Sequence, residues 1–141
     1  MTSTDSLYQH YLKHSTISTD TRNIAAGCLF FALKGEKFDA NTFAERALAM
    51  GAAYVVIDNK DYQINERCLL VDDVLSSLQD LARHHRAQLG IPVVGLTGSN
   101  GKTTTKELIN AVLSRKYKTF ATRGNLNNHI GVPLSILSLS S

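Results

Sequence analysis

Seven residues, Gly98-Ser-Asn-Gly-Lys-Thr-Thr104, constrain the fold of this chain more than any other stretch. They follow a short apolar run, Val93-Val-Gly-Leu96, and open a helix-forming stretch from Lys102 to about Ser114. A glycine-rich turn between a buried strand and a helix begins a parallel α/β sheet, and Lys118-Thr-Phe-Ala-Thr122 reads as the next strand. The chemistry of such a turn is phosphate binding. Gly98 and Gly101 let backbone N–H groups approach an oxyanion with no Cβ in the way. The helix that follows adds unpaired N–H groups and a partial positive charge. Lys102 brings a mobile ammonium, and Thr103 brings a hydroxyl suited to Mg²⁺. The expected ligand is the triphosphate of ATP, held by Gly98, Ser99, Asn100, Gly101, Lys102, Thr103 and Thr104. Lys102 is the expected catalytic residue and Thr103 the metal ligand. The general pattern asks for a glycine where this chain has Leu96, so the loop is a variant form.

The rest of the chain reads as a second, separate α/β unit. Pro92 disfavours helix at Ile91, and this break divides residues 1–90 from residues 91–141. Leu7, Tyr8, Tyr11 and Leu12 predict an amphipathic helix over 5–14, and Ile17 to Thr19 a short strand. Cys28-Leu-Phe-Phe-Ala-Leu33, Ala53-Tyr-Val-Val-Ile57 and Cys68-Leu-Leu-Val71 predict buried strands. Asn41 is expected to cap a helix that runs to Met50, with Gly51 after its end. Asp72 or Asp73 is expected to cap a helix ending near Gly90. His84 and His85, late in that helix, are expected to be solvated or to interact with its C-terminus.

Composition excludes several classes. Hydrophobic residues at 43% and charged residues at 19% describe a globular chain. No apolar run approaches the roughly 18 residues of a membrane span, and the N-terminus lacks a secretory pattern. A cytoplasmic location is therefore expected. A net charge of +3 with scattered basic residues gives no nucleic-acid stripe. Cys28 and Cys68 have no metal or redox spacing and are expected to be small buried residues.

Thr97-Gly-Ser-Asn-Gly-Lys-Thr-Thr104 resembles the ATP site of the Mur ligases, which build the UDP-linked precursor of peptidoglycan. Relatives that glutamylate folates share the T-G-x-x-G-K form. Three further stretches separate the two. Ser18-Thr-Asp-Thr-Arg22, Gly27-Cys-Leu-Phe-Phe-Ala-Leu-Lys-Gly-Glu36 and Phe38-Asp-Ala40 resemble the family's UDP-binding first domain. Gly124-Asn-Leu-Asn-Asn128 with Ile130-Gly-Val-Pro-Leu134 resembles the member that joins D-alanyl-D-alanine to UDP-N-acetylmuramoyl-tripeptide.

The resemblance implies a small N-terminal α/β UDP-binding domain followed by the start of a P-loop parallel-sheet ATPase domain. It implies a monomer that uses ATP and Mg²⁺, forms an acyl phosphate and then a peptide bond, and neither binds nucleic acid nor inserts in a membrane. The family's third domain is absent and its central domain is cut short at Ser141. The 141-residue chain alone is therefore expected to be inactive, and a half-built sheet with an open apolar edge points to a longer natural chain. By the same resemblance Thr21, in place of the family's serine, meets the uracil with Thr19 nearby. Gly35, Glu36 and Lys37 run beside the uridine and its diphosphate, and Asn125 and Asn128 meet that diphosphate. Plainer readings stay open for these residues: a structural Asp20–Arg22 pair, a solvated loop at 34–39, and an Asx turn at Asn125 and Asn128. A binding module that keeps UDP-sugar recognition without catalysis and an unrelated P-loop kinase remain the alternatives.

Overall fold

The computed structural model describes residues 1–122, 124 and 126–139. In chain order come α1 (Thr4–Lys13), β1 (Ile17–Ser18), β2 (Leu29–Phe31), β3 (Lys34–Gly35), β4 (Phe38–Asp39) and a 3₁₀ turn (Ala40–Phe43). Then follow α2 (Ala44–Ala49), β5 (Tyr54–Ile57), β6 (Cys68–Leu70), α3 (Val74–Leu89), α4 (Lys102–Leu113) and α5 (Gly131–Leu137). β1, β2, β5 and β6 pair in that order as a parallel sheet, and β3 pairs with β4 as a separate antiparallel hairpin.

The apolar runs are continuous because both faces of the sheet are covered. Leu29, Phe31, Val56 and Leu69 point to one face, where they meet Leu7 and Tyr11 of α1 and Val74, Leu78 and Leu81 of α3. Cys28, Phe30, Val55, Ile57 and Cys68 point to the other, against Ala40, Ala44 and Ala47. The two faces alternate residue by residue, as the pleat requires. Both cysteines are free and buried. The side-chain carboxylate of Asp73 accepts the Ser76 N–H at 2.7 Å and caps α3, which stops at Gly90 in the left-handed region (φ 61°).

Three expectations need correction. Asn41 caps nothing: Asp39 caps the 3₁₀ turn by accepting the Asn41 N–H, and the Asn41 amide is fully buried between two carboxylates. His85 is not solvated. It is buried between Tyr8 and Tyr11, and its Nε2 lies 2.9 Å from the Leu139 carbonyl. The third concerns the strands around the phosphate loop. Val93–Leu96 and Lys118–Thr122 form no strand, and Val93, Val94, Leu96 and Phe120 are exposed. A helix closes its own backbone hydrogen bonds, so α4 forms alone. A strand needs at least one neighbouring strand to accept and donate its backbone hydrogen bonds, and no described residue pairs with either segment.

Candidate functional site

Two groups of candidate residues lie in this fold, one at the N-terminus of α4 and one along an edge of the sheet. At α4, Gly98 (φ 146°) and Gly101 (φ 75°) adopt conformations that L side chains rarely take. The first hydrogen bond of the helix runs from the Thr105 N–H to the Gly101 carbonyl at 2.9 Å. The N–H groups of Lys102, Thr103 and Thr104 therefore have no helical partner. No side chain caps this end. The Lys102 ammonium folds back onto the Gly98 carbonyl, which holds it over the loop. Thr103 is exposed at the second position of the helix.

This donor set fits a polyphosphate: consecutive N–H groups without helical partners, open glycines, one ammonium and the hydroxyls of Ser99, Thr103 and Thr104. It also fits Mg²⁺, which takes few protein ligands and fills its shell with water and phosphate oxygens. Among the described residues no cluster of three His, Cys, Asp or Glu offers an all-protein cation site.

The second group gathers at the carboxyl ends of the parallel strands. In open α/β sheets this is the edge where ligands bind. Thr19 and Thr21 follow β1, and the β3–β4 hairpin follows β2, its immediate neighbour in the sheet. Gly35, Glu36 and Lys37 are exposed at the hairpin tip. Asp20 and Arg22 form the expected ion pair at 2.8 Å, and the Arg22 N–H also donates to Asp20 Oδ1. The turn is thereby fixed, with Thr21 half-buried at its centre. These hydrogen bonds from Arg22 pull the Asp20 carboxyl down to about 2.

A residue that sequence reasoning missed anchors this edge. Asp58 follows the last residue of β5, and its side chain is only 5% exposed. Its Oδ1 accepts from Lys34 Nζ at 2.7 Å and from Asn41 Nδ2 at 2.8 Å, and its Oδ2 accepts from the Val74 N–H at 3.3 Å. Burial by itself raises this carboxyl, but the hydrogen bonds from Lys34, Asn41 and Val74 outweigh it and the net shift is downward. The available signal was an aspartate directly after a buried strand, at the ligand-binding edge.

The third candidate loop arrives from the far end of the chain. Asn125 lies outside the described residues. Asn128 forms the Asx turn: its Oδ1 accepts from the N–H groups of Ile130 and Gly131 at 3.1 and 2.6 Å, leading the chain into α5. α5 lies along α3 and buries Leu137 in the first core. Gln79 Nε2 donates to the His129 carbonyl at 3.1 Å, and the Tyr11 hydroxyl donates to the Leu137 carbonyl at 2.6 Å. Burial raises the Tyr11 phenol, which keeps it a donor. Lys106 donates to the Thr122 carbonyl and pairs with Glu107 at 3.0 Å.

The family model "Mur ligase family, catalytic domain" matches residues 13–93, more than half of the chain, and "Mur ligase middle domain" matches residues 96–141. The UDP-N-acetylmuramoyl-tripeptide–D-alanyl-D-alanine ligase of Bacillus subtilis is 46% identical over 94% of the chain, and that of Escherichia coli 46% identical over 88%. The chain spans 29% and 27% of those two relatives. Among solved structures, MurF of Acinetobacter baumannii superposes with a TM-score of 0.80 at 42% identity, over 88% of this chain and 27% of that one. MurF of Thermotoga maritima in complex with ADP gives 0.81 at 37% identity, over 89% and 29%. An α/β chain with a parallel sheet, a phosphate-type loop and these matches belongs to the Mur ligase family.

Proposed function

We propose that this chain is part of an ATP-dependent ligase that joins D-alanyl-D-alanine to UDP-N-acetylmuramoyl-tripeptide, a cytoplasmic step of peptidoglycan synthesis. The observation that carries the reading is the 46% identity to ligases of that name, over 94% and 88% of this chain. Residues 1–90 act as the UDP-sugar domain and residues 91–141 as the start of the ATPase domain. The protein works as a monomer.

A carboxylate is a poor electrophile, so the reaction needs activation. A carboxylate oxygen of the tripeptide attacks the γ-phosphorus of ATP, the bond to the β-phosphate oxygen breaks, and ADP leaves. The amine of D-alanyl-D-alanine then attacks the acyl carbon, loses a proton, and expels phosphate. The chain's part in this is positioning and charge neutralisation. The N–H groups of the 98–104 loop hold the phosphate oxygens, and the Lys102 ammonium offsets charge on the outer phosphates. Thr103 would hold Mg²⁺, which supplies further charge compensation. Thr19 and Thr21 bind the uracil side of the precursor. Gly35, Glu36, Lys37, Asn125 and Asn128 lie along its diphosphate, the last through the Nδ2 that its Asx turn leaves available.

The decisive assay uses a ligase of the relatives' full length. Phosphate release is expected only when the tripeptide precursor and D-alanyl-D-alanine are both present. Equal turnover with folate and glutamate would defeat the reading. The closed packing of the four-stranded sheet between its helices, α5 included, also favours a narrower role for the 141-residue chain itself, as a UDP-sugar binder without turnover. Calorimetry with the UDP-tripeptide tests this, and no heat at millimolar ligand would exclude it.

A further inference from the structure

The β3–β4 hairpin is too small to hold its own position. It has two residue pairs, Lys34 with Asp39 and Gly35 with Phe38, and most of it is exposed. An isolated two-stranded ribbon is marginal in water. Its apolar ring, Phe38, lies 5.5 Å from that of Phe43 and is itself half-exposed.

Both ends of the hairpin are instead fastened to one carboxylate. At the start, Lys34 Nζ pairs with Asp58 Oδ1 at 2.7 Å. At the end, Asp39 Oδ1 accepts from Asn41 Nδ2 at 2.7 Å, and the same Nδ2 donates to Asp58 Oδ1 at 2.8 Å. Asn41 Oδ1 accepts the Asp58 N–H at 3.1 Å, so the amide is held in one orientation. Asp58 Oδ2 in turn takes the Val74 N–H at the first turn of α3. The hairpin is thus tied through polar side chains to the end of β5 and the start of α3.

Stability is a weak reason for this arrangement. The cost of burying a carboxylate nearly cancels what its ion pair returns, and well-packed apolar residues would serve as well or better. What the cluster provides is direction: hydrogen bonds with fixed geometry set where the hairpin tip stands. We propose that Asp58 is a positioning residue that holds Gly35, Glu36 and Lys37 where they meet the nucleotide diphosphate. It touches no substrate, and it acts through Lys34 and Asn41. This rests on the reading that the hairpin lies along the UDP-sugar.

The test is steady-state kinetics of a full-length ligase, paired with hydrogen exchange over residues 34–39. Asp58→Asn removes the charge that holds Lys34. KM for the UDP-tripeptide is expected to rise roughly tenfold, the equivalent of about 1.4 kcal/mol, with kcat and KM for ATP nearly unchanged and exchange in the hairpin faster. Lys34→Met removes the pair from its exposed side and covers the case in which Asp58→Asn fails to fold. Lys34→Arg keeps the charge and is expected to restore near-normal KM. Lys37→Ala at the tip tests the underlying reading separately. If Lys37→Ala raises KM but Asp58→Asn and Lys34→Met do not, the positioning role is wrong and the ligand reading stands. If Lys37→Ala has no effect, the hairpin does not meet the nucleotide, and both fall. A matched loss in kcat and in both KM values marks general destabilisation and also overturns the proposal.

Discussion

Residues 1–90 and residues 91–122 carry equally clear α/β signals, yet only the first stretch forms a sheet. Val55, Val56 and Ile57 are fully buried between two helical layers, whereas Val93 and Val94 are 50% and 66% exposed. The difference is not in the local sequence, since both runs are β-branched and apolar. It lies in partners. β5 has β2 on one side and β6 on the other, while Val93–Leu96 has no described strand beside it. α4 forms between the unpaired segments because a helix needs no neighbour for its hydrogen bonds, although Leu108 and Val112 on it are more than 60% exposed. Apolar surface of this extent asks for further protein to cover it.

The largest contrast is expected in amide exchange. In the 141-residue chain, the amides of Val55–Ile57 are expected to exchange only through global opening, and those of Val93–Leu96 nearly freely. The rates then differ by at least about 10³. Strong protection at Val94 would break the comparison and mean that this segment is paired. Mutational effects follow the same line. Phe31→Ala removes a fully buried ring and is expected to cost about 3–5 kcal/mol in urea unfolding. Val94→Ala is expected to stay within about 0.5 kcal/mol, as an exposed substitution does. Comparable losses at both positions would show that the second stretch is packed as tightly as the first.

The phosphate loop sits in the less packed stretch, so its contribution should separate cleanly from stability. Lys102→Ala in a full-length ligase is expected to lower kcat by about 10²–10³, the usual loss for one charge-stabilising donor. Circular dichroism and the unfolding midpoint should not move, because the hydrogen bond of the Lys102 ammonium among the described residues is a local one, to the Gly98 carbonyl. Activity near that of the unaltered enzyme would remove Lys102 from its assigned role.

These contrasts also explain what was legible in the sequence. β2, β5, β6 and α3 were readable because period, capping residue and burial all agree there: Asp73 caps, Gly90 stops, and the apolar runs end at polar turns. The phosphate loop was readable because its function depends on backbone and neighbouring residues along a single stretch. Asp58 was not, since its meaning comes from Lys34 and Asn41, which are distant in sequence and adjacent only once β2 and β5 pair. His85 failed for the same reason: two tyrosines from α1 and a carbonyl from residue 139 convert an apparently solvated histidine into a buried one. Pairing of β-strands around α4 was over-read, because periodicity reports what a strand would bury and not whether a partner exists.

The smallest expected effect sharpens the comparison at its other end, on the exposed rim of the packed unit. Asp20 and Arg22 are bonded by two side-chain contacts and one backbone contact, yet both face water. The Asp20 carboxyl is held at about 2, below its ordinary value of 3.8. A carboxyl lowered in the folded state favours folding above its unfolded value, and that contribution fades as pH falls from about 3.8 toward about 2. Because the pair is solvent-screened, the change in overall stability across that window is expected to be slight. The local readout is sharper. A carbon-detected NMR titration should place the Asp20 midpoint near 2, and Arg22→Ala should return it most of the way toward 3.8, the backbone N–H of residue 22 retaining the remainder. If instead the unaltered chain titrates near 3.8, the turn that presents Thr21 is not fixed by this pair, and the polar rim around β1 is looser than the core it borders.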